Sequence, residues 1–135
     1  MNLPTNNIIK FWFNDSKTEM FNFWFNGEKD DCIKENYKNL VDNIDINNYK
    51  SFINNDMDKI ALLLVGDQFT RNIYRNSNER LKNDTWTLEL ALNMLNNNED
   101  YNYNLNMRYF ILLPLRHNKS SKLLNIVRNR ILSYV

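Results

Sequence analysis

Apolar residues recur along the chain at three- and four-residue intervals, the period of helices that bury one face. Ile8, Ile9, Trp12 and Phe13 share a face of a short helix opening after Pro4, which a first helical turn accepts because its missing N–H has no partner there. After a loop over residues 14–16, Met20, Phe21, Phe23, Trp24 and Phe25 form an aromatic cluster ended by Gly27, core material in character. A helix over residues 30–42 sets Ile33, Tyr37, Leu40 and Val41 on one side, with acids in its first turn where the helix dipole favours them. The segment INNYKSFIN reads as a short helix or turn-rich connection, and a long helix follows over residues 56–75. The next helix, 84–97, is apolar at Leu88, Ala91, Leu92 and Leu95 and again at Trp86, Leu90 and Met94. Two apolar faces predict a central position. Beyond the polar NNNEDYNYN, the run LNMRYFILLPL predicts a buried helix broken near Pro114, because proline removes an amide donor and crowds the preceding turn. A last helix, 120–135, carries Leu123, Leu124, Val127, Ile131, Tyr134 and Val135 along one stripe. Two glycines and two prolines are too few for the turns of a sandwich or barrel. The expected fold is all-α, a compact array of antiparallel helices without sequence repeats.

Length and composition narrow this picture. The 135 residues suit one domain over 1–135 with a core that needs neither disulfide nor metal. About a fifth of the residues are Asn, yet a 43% hydrophobic fraction with eight Phe, seven Tyr and three Trp argues for a packed core. Seventeen basic against sixteen acidic residues leave no overall field, so neither nucleic acid nor an anionic membrane is an expected partner. The single Cys32 forms no internal disulfide, and one cysteine with one histidine exclude a Cys- or His-based zinc site. No cofactor or metal is expected. The N-terminus lacks a basic and apolar leader, and no eighteen apolar residues run together, so the expected compartment is the cytoplasm.

The chemistry concentrates in VGDQFTRNIYR, residues 65–75. Asp67, Arg71 and Arg75 are four apart each time, on a helical stripe that continues backward to Leu64, Leu63 and Ile60. Charges extending an apolar face predict partial burial. An unpaired buried charge costs several kcal/mol, on the order of the net stability of a small domain, so Asp67 and Arg71 must pair. Gly66 costs about 1 kcal/mol relative to alanine inside a helix, and close approach of another helix is one reason to keep it. Two readings stand. One is an internal salt-bridge network that sets helix register. The other is a pocket in which Arg71 or Arg75 holds a phosphate or carboxylate by both fork nitrogens. Farther on, Arg108 opens an apolar helix, and His117 serves as an acid/base or as a cap of the helix C-terminus.

FWF near the N-terminus, a later WF, the apolar run into DQFTRNIYR, Asp84 and RYFILLPLRH together resemble the bacterial-type family called domain of unknown function 924. The resemblance spans most of the chain and centres on Asp67, Gln68, Phe69, Arg71, Asn72 and Arg75. It implies an all-helical fold of the TPR-like superfamily and, since the family has no established activity, supplies no catalytic residues. The family usually follows its histidine with serine and glutamate; here Asn118 and Lys119 follow His117. A downstream segment common in the family has no counterpart here. The resulting expectation is a protein-interaction or scaffold module. Leu124, Val127, Ile131 and Val135 either pack inward or meet a protein partner or a second copy. The alternative is a small-molecule binder or enzyme for an anionic ligand, built on Asp67, Gln68, Arg71, Asn72, Arg75, Arg108 and His117.

Overall fold

The computed structural model describes residues 2–13 and 26–135. The aromatic cluster expected at Met20, Phe21, Phe23, Trp24 and Phe25 lies outside the described residues. Within them the fold is all-α, with no strand. The first helix, α1 (Thr5–Trp12), buries Ile8 and Trp12. Helix α2 (Asp30–Asn43) opens on Asp30 and Asp31 and buries Ile33, Tyr37, Leu40 and Val41, the face its periodicity predicts. The segment read as a short helix or turn contains a 3-10 turn, Tyr49–Phe52.

Helix α3 (Asp56–Leu63) starts with a reciprocal cap: Asn55 Oδ1 accepts from the Asp58 amide at 3.1 Å, and Asp58 Oδ2 accepts from the Asn55 amide at 3.1 Å. The hydroxyl of Thr5 donates to Asp58 Oδ1, which ties α1 to this cap. The chain then widens into a π turn, Leu64–Phe69, before the four-residue α4 (Thr70–Ile73). Every residue of the π turn is buried. Gly66 explains how α5 (Asp84–Asn96) reaches it: a Cβ there would lie 2.3 Å from Thr87 Cγ2 and 2.4 Å from Trp86 Cζ2. The close approach expected of this glycine is therefore present. Helix α5 buries Trp86, Leu90, Met94, Ala91 and Leu95, while Leu88 and Leu92 are half-buried, so its central place follows from its two apolar faces.

Helix α6 (Leu105–Asn118) corrects one expectation. It is not broken at Pro114 but runs through it. Proline inside a helix costs about 3 kcal/mol. Phe110, Ile111, Leu112, Leu113 and Leu115 are all buried around it, and apolar burial at roughly 1.5–3 kcal/mol per side chain outweighs one lost hydrogen bond. Helix α7 (Ser121–Ser133) corrects another. The single predicted stripe is two neighbouring ones: Val127 is buried, with Leu123, Ile126 and Tyr134 half-buried beside it, whereas Leu124, Ile131 and Val135 face outward. Helix α6 packs along both α5 and α7, and α2 packs on the π turn and α4. Phe69 sits where these layers meet, stacked on Tyr37 at 4.9 Å and edge-on to Trp12 at 5.6 Å.

Candidate functional site

The polar cluster grows from the change of helical pitch. A π turn holds one extra residue, which rotates everything after it by about 100° relative to an unbroken α-helix. Asp67 lies inside that turn, 2% exposed, and Arg71 lies one turn beyond. Arg71 Nη1 donates to Asp67 Oδ1 at 2.8 Å and to the Asp67 carbonyl at 3.2 Å. Its fork also closes on Asp84, the first residue of α5, through Nη1 to Oδ1 and Nη2 to Oδ2, both at 2.9 Å. One guanidinium thus joins two helices by two carboxylates. His117, in the last turn of α6, brings Nδ1 to 2.8 Å from Asp67 Oδ1. An ionised carboxylate only accepts, so Nδ1 is the donor in this contact.

A second cluster lies farther along the same stretch. Gln68 Nε2 donates to Asn72 Oδ1 at 3.0 Å, and Asn72 Nδ2 donates to Asp30 Oδ1 at 2.8 Å. Arg75 Nε and Nη2 grip the same carboxylate at 2.7 and 3.0 Å. Burial pushes the Asp30 carboxyl upward, but the Arg75 and Asn72 hydrogen bonds and the Arg75 charge outweigh it, so Asp30 stays below its ordinary value. A cavity of about 360 Å³ opens here, lined by Asp30, Lys34, Asn72, Tyr74 and Arg75. A larger one, about 580 Å³, is lined by residues of neither cluster, among them Leu3, Pro4, Asn55 and Met57.

The model of a family described as a bacterial protein of unknown function, DUF924, matches residues 8–132. The chain belongs to the DUF924 family. No curated protein and no solved structure matches it. In this DUF924 chain the stretch DQFTRNIYR therefore divides its work: Asp67 and Arg71 join α5 and α6, and Gln68, Asn72 and Arg75 join α2. Arg108 meets none of these residues. Its Nε donates to the Tyr103 carbonyl at 2.8 Å, and its guanidinium lies 4.7 Å from the Tyr134 ring centroid. Spacing in the sequence points to Asp67 with Arg71 but not to Asp84 or Asp30, whose bonds span 13, 42 and 45 residues. The one local signal is that both carboxylates open a helix. Among the described residues no group of three or more His, Cys, Asp or Glu is arranged for a metal ion, and no helix is long and apolar enough to cross a membrane.

Proposed function

We propose that this DUF924 chain works as a TPR-like protein-interaction module, one domain acting in the cytoplasm, with its charged clusters holding helix register. The observation carrying this reading is the pairing of saturated polar clusters with an unsatisfied apolar flank. The forks of Arg71 and Arg75 are filled by carboxylates of the chain itself, whereas Leu124, Ile131 and Leu132 of α7 are 43%, 47% and 61% exposed. Exposed aliphatic side chains grouped on one helix are surface that a partner would dehydrate. A lone thiol, Cys32, suits a reducing compartment. A photo-crosslinking side chain at Ile131, compared with one at Asn76, tests the reading in native extract. Discrete protein adducts at Ile131 alone are expected; none, or equal labelling at both positions, would remove it.

A second reading has its own support. Among the described residues the His117 ring has one hydrogen bond, Nδ1 with Asp67, so Nε2 has none there and can meet a ligand. Arg75 and Lys34 both line the cavity of about 360 Å³, which is where an anion would sit in this reading. Thermal-shift screening with phosphates, nucleotides and dicarboxylates addresses it. No stabilisation, or equal stabilisation of wild type and Arg75→Lys, would exclude bidentate anion binding.

A further inference from the structure

The near-neutral total conceals a segregation of charge. Every acidic residue lies at or before Asp100, while Arg108, Arg116, Lys119, Lys122, Arg128 and Arg130 follow it. Arg130 is bound to Asp100 within the fold. Lys119, Lys122 and Arg128 have no ion-pair partner among the described residues. On the outward flank of α7, Leu124, Arg128 and Ile131 follow one another at intervals of four and three (128 − 124, 131 − 128), and Val135, just past the helix end, comes four residues later (135 − 131). That is the spacing of a coiled-coil seam, interrupted by one cation.

We infer that this flank of α7 docks an acidic amphipathic helix of another protein, whose aliphatic side chains cover Leu124, Ile131 and Val135 and whose carboxylates meet Arg128. The inference rests on the interaction-module reading and names its partner class. Charge selects the occupant. A second copy would bring an identical seam, placing two Arg128 guanidinium groups within about one turn of each other in a segment without a single acid. Geometry selects it too. Leu132 widens the seam on one side, and Asn125, Asn129 and Ser133 border it, all exposed, so the apolar surface is a strip suited to another helix rather than the broad face that lies on a lipid surface. Lys119 and Lys122 add attraction that speeds encounter with an acidic partner and weakens as salt rises.

The test uses the full chain and two labelled helical peptides with leucine at four–three spacing, one carrying glutamate at the remaining seam and flanking positions and one carrying lysine there. Fluorescence anisotropy should show the acidic peptide binding wild type at least tenfold more tightly than the basic one. Arg128→Glu should reverse that preference, and Ile131→Asp, at an exposed position, should weaken both by tenfold or more while the circular dichroism is unchanged. Equal affinity for the two peptides, no binding of either, or an unchanged preference in Arg128→Glu overturns the inference. So does binding to phosphatidylserine vesicles in place of the acidic peptide, or self-association in sedimentation that Ile131→Asp abolishes. If the peptides fail while crosslinked adducts at Ile131 persist, this inference falls and the interaction-module reading stands; if the adducts are missing too, both fall.

Discussion

At the scale of single residues, Arg71 is the shared member of its cluster, and losing it is worse than losing either carboxylate alone. Asp67→Ala leaves Arg71 gripped by Asp84, whereas Arg71→Ala leaves Asp67, 2% exposed, with only an imidazole. Arg71→Ala should therefore cost about 3 kcal/mol and Asp67→Ala clearly less, with a coupling of at least about 1 kcal/mol between them. Urea denaturation of the two single variants and the double variant measures this, and strictly additive losses would contradict it. The i,i+4 pair was legible in the sequence because helical period alone sets it; the resemblance included Asp84 but not its pairing with Arg71, and neither that pairing nor the one between Asp30 and Arg75 was legible, because a fold must bring the partners together. Asp42 gives a prediction in pH. Burial pushes its carboxyl up, but hydrogen bonds from Lys38, Lys82 and Tyr74 and the Lys82 charge prevail and hold it at about 2, against 3.8 for an ordinary aspartate. A lowered folded value means stability fully present above the unfolded pKa and lost as the pH falls from 3.8 through about 2. The site is partly solvated, so Asp42→Asn should cost no more than about 1 kcal/mol near neutrality. Wild type and variant should converge below about pH 2, and a gap that stays constant with pH would refute the role of this carboxylate.

Among the elements, the π turn and its neighbour α5 depend on one missing methyl group. Gly66→Ala would force a carbon to within 2.3 Å of Thr87 Cγ2 and 2.5 Å of Trp86 Cη2. The indole cannot move freely, because its Nε1 donates to Asn83 Oδ1, and Asn83 in turn donates to the Thr70 hydroxyl and the Val41 carbonyl. Gly66→Ala should thus destabilise by about 1–3 kcal/mol, as overpacked cores do. Adding Thr87→Ser removes only the methyl contact, so thermal melts should show partial recovery; full recovery would mean that the indole yields. Helix boundaries at α2 and α5 were readable from periodicity and first-turn acids. The π turn was not, since one inserted residue leaves the spacing of hydrophobic positions helical on both sides of it. Pro114 misled for a related reason. Local chemistry says stop, but the surrounding apolar side chains bury only if the helix continues.

Across the whole molecule, stability is distributed unevenly, and this limits what the C-terminal helix can be. An all-α class followed from scarce glycine and proline, yet which flank of α7 faces inward depends on α6, which supplies the groove. The π turn buries all six of its residues, α3 five of eight and α5 six of thirteen, whereas α7 buries only Val127. What holds α7 is a polar clamp at its far end. Arg130 donates to the Leu95 carbonyl at 2.7 Å and to Asn98 Oδ1 at 3.0 Å, and reaches Asp100 Oδ1 at 3.4 Å. The Tyr134 hydroxyl donates to Asp100 Oδ2 at 2.5 Å, and burial followed by the neighbouring Asp100 carboxylate pushes that phenol well above its ordinary value. Asp100 is fully buried, and Arg130 is its one ion-pair partner among the described residues. Regions with few buried contacts open locally at free energies below that of global unfolding. Arg130→Ala should accordingly raise amide hydrogen exchange throughout 121–133 by tenfold or more while exchange in α3 and α5 hardly changes. A uniform rise across all helices would mean that α7 opens only with the whole fold. In that case its outer flank would be as rigid as the core, and a docking helix would meet a preformed surface rather than one it helps to order.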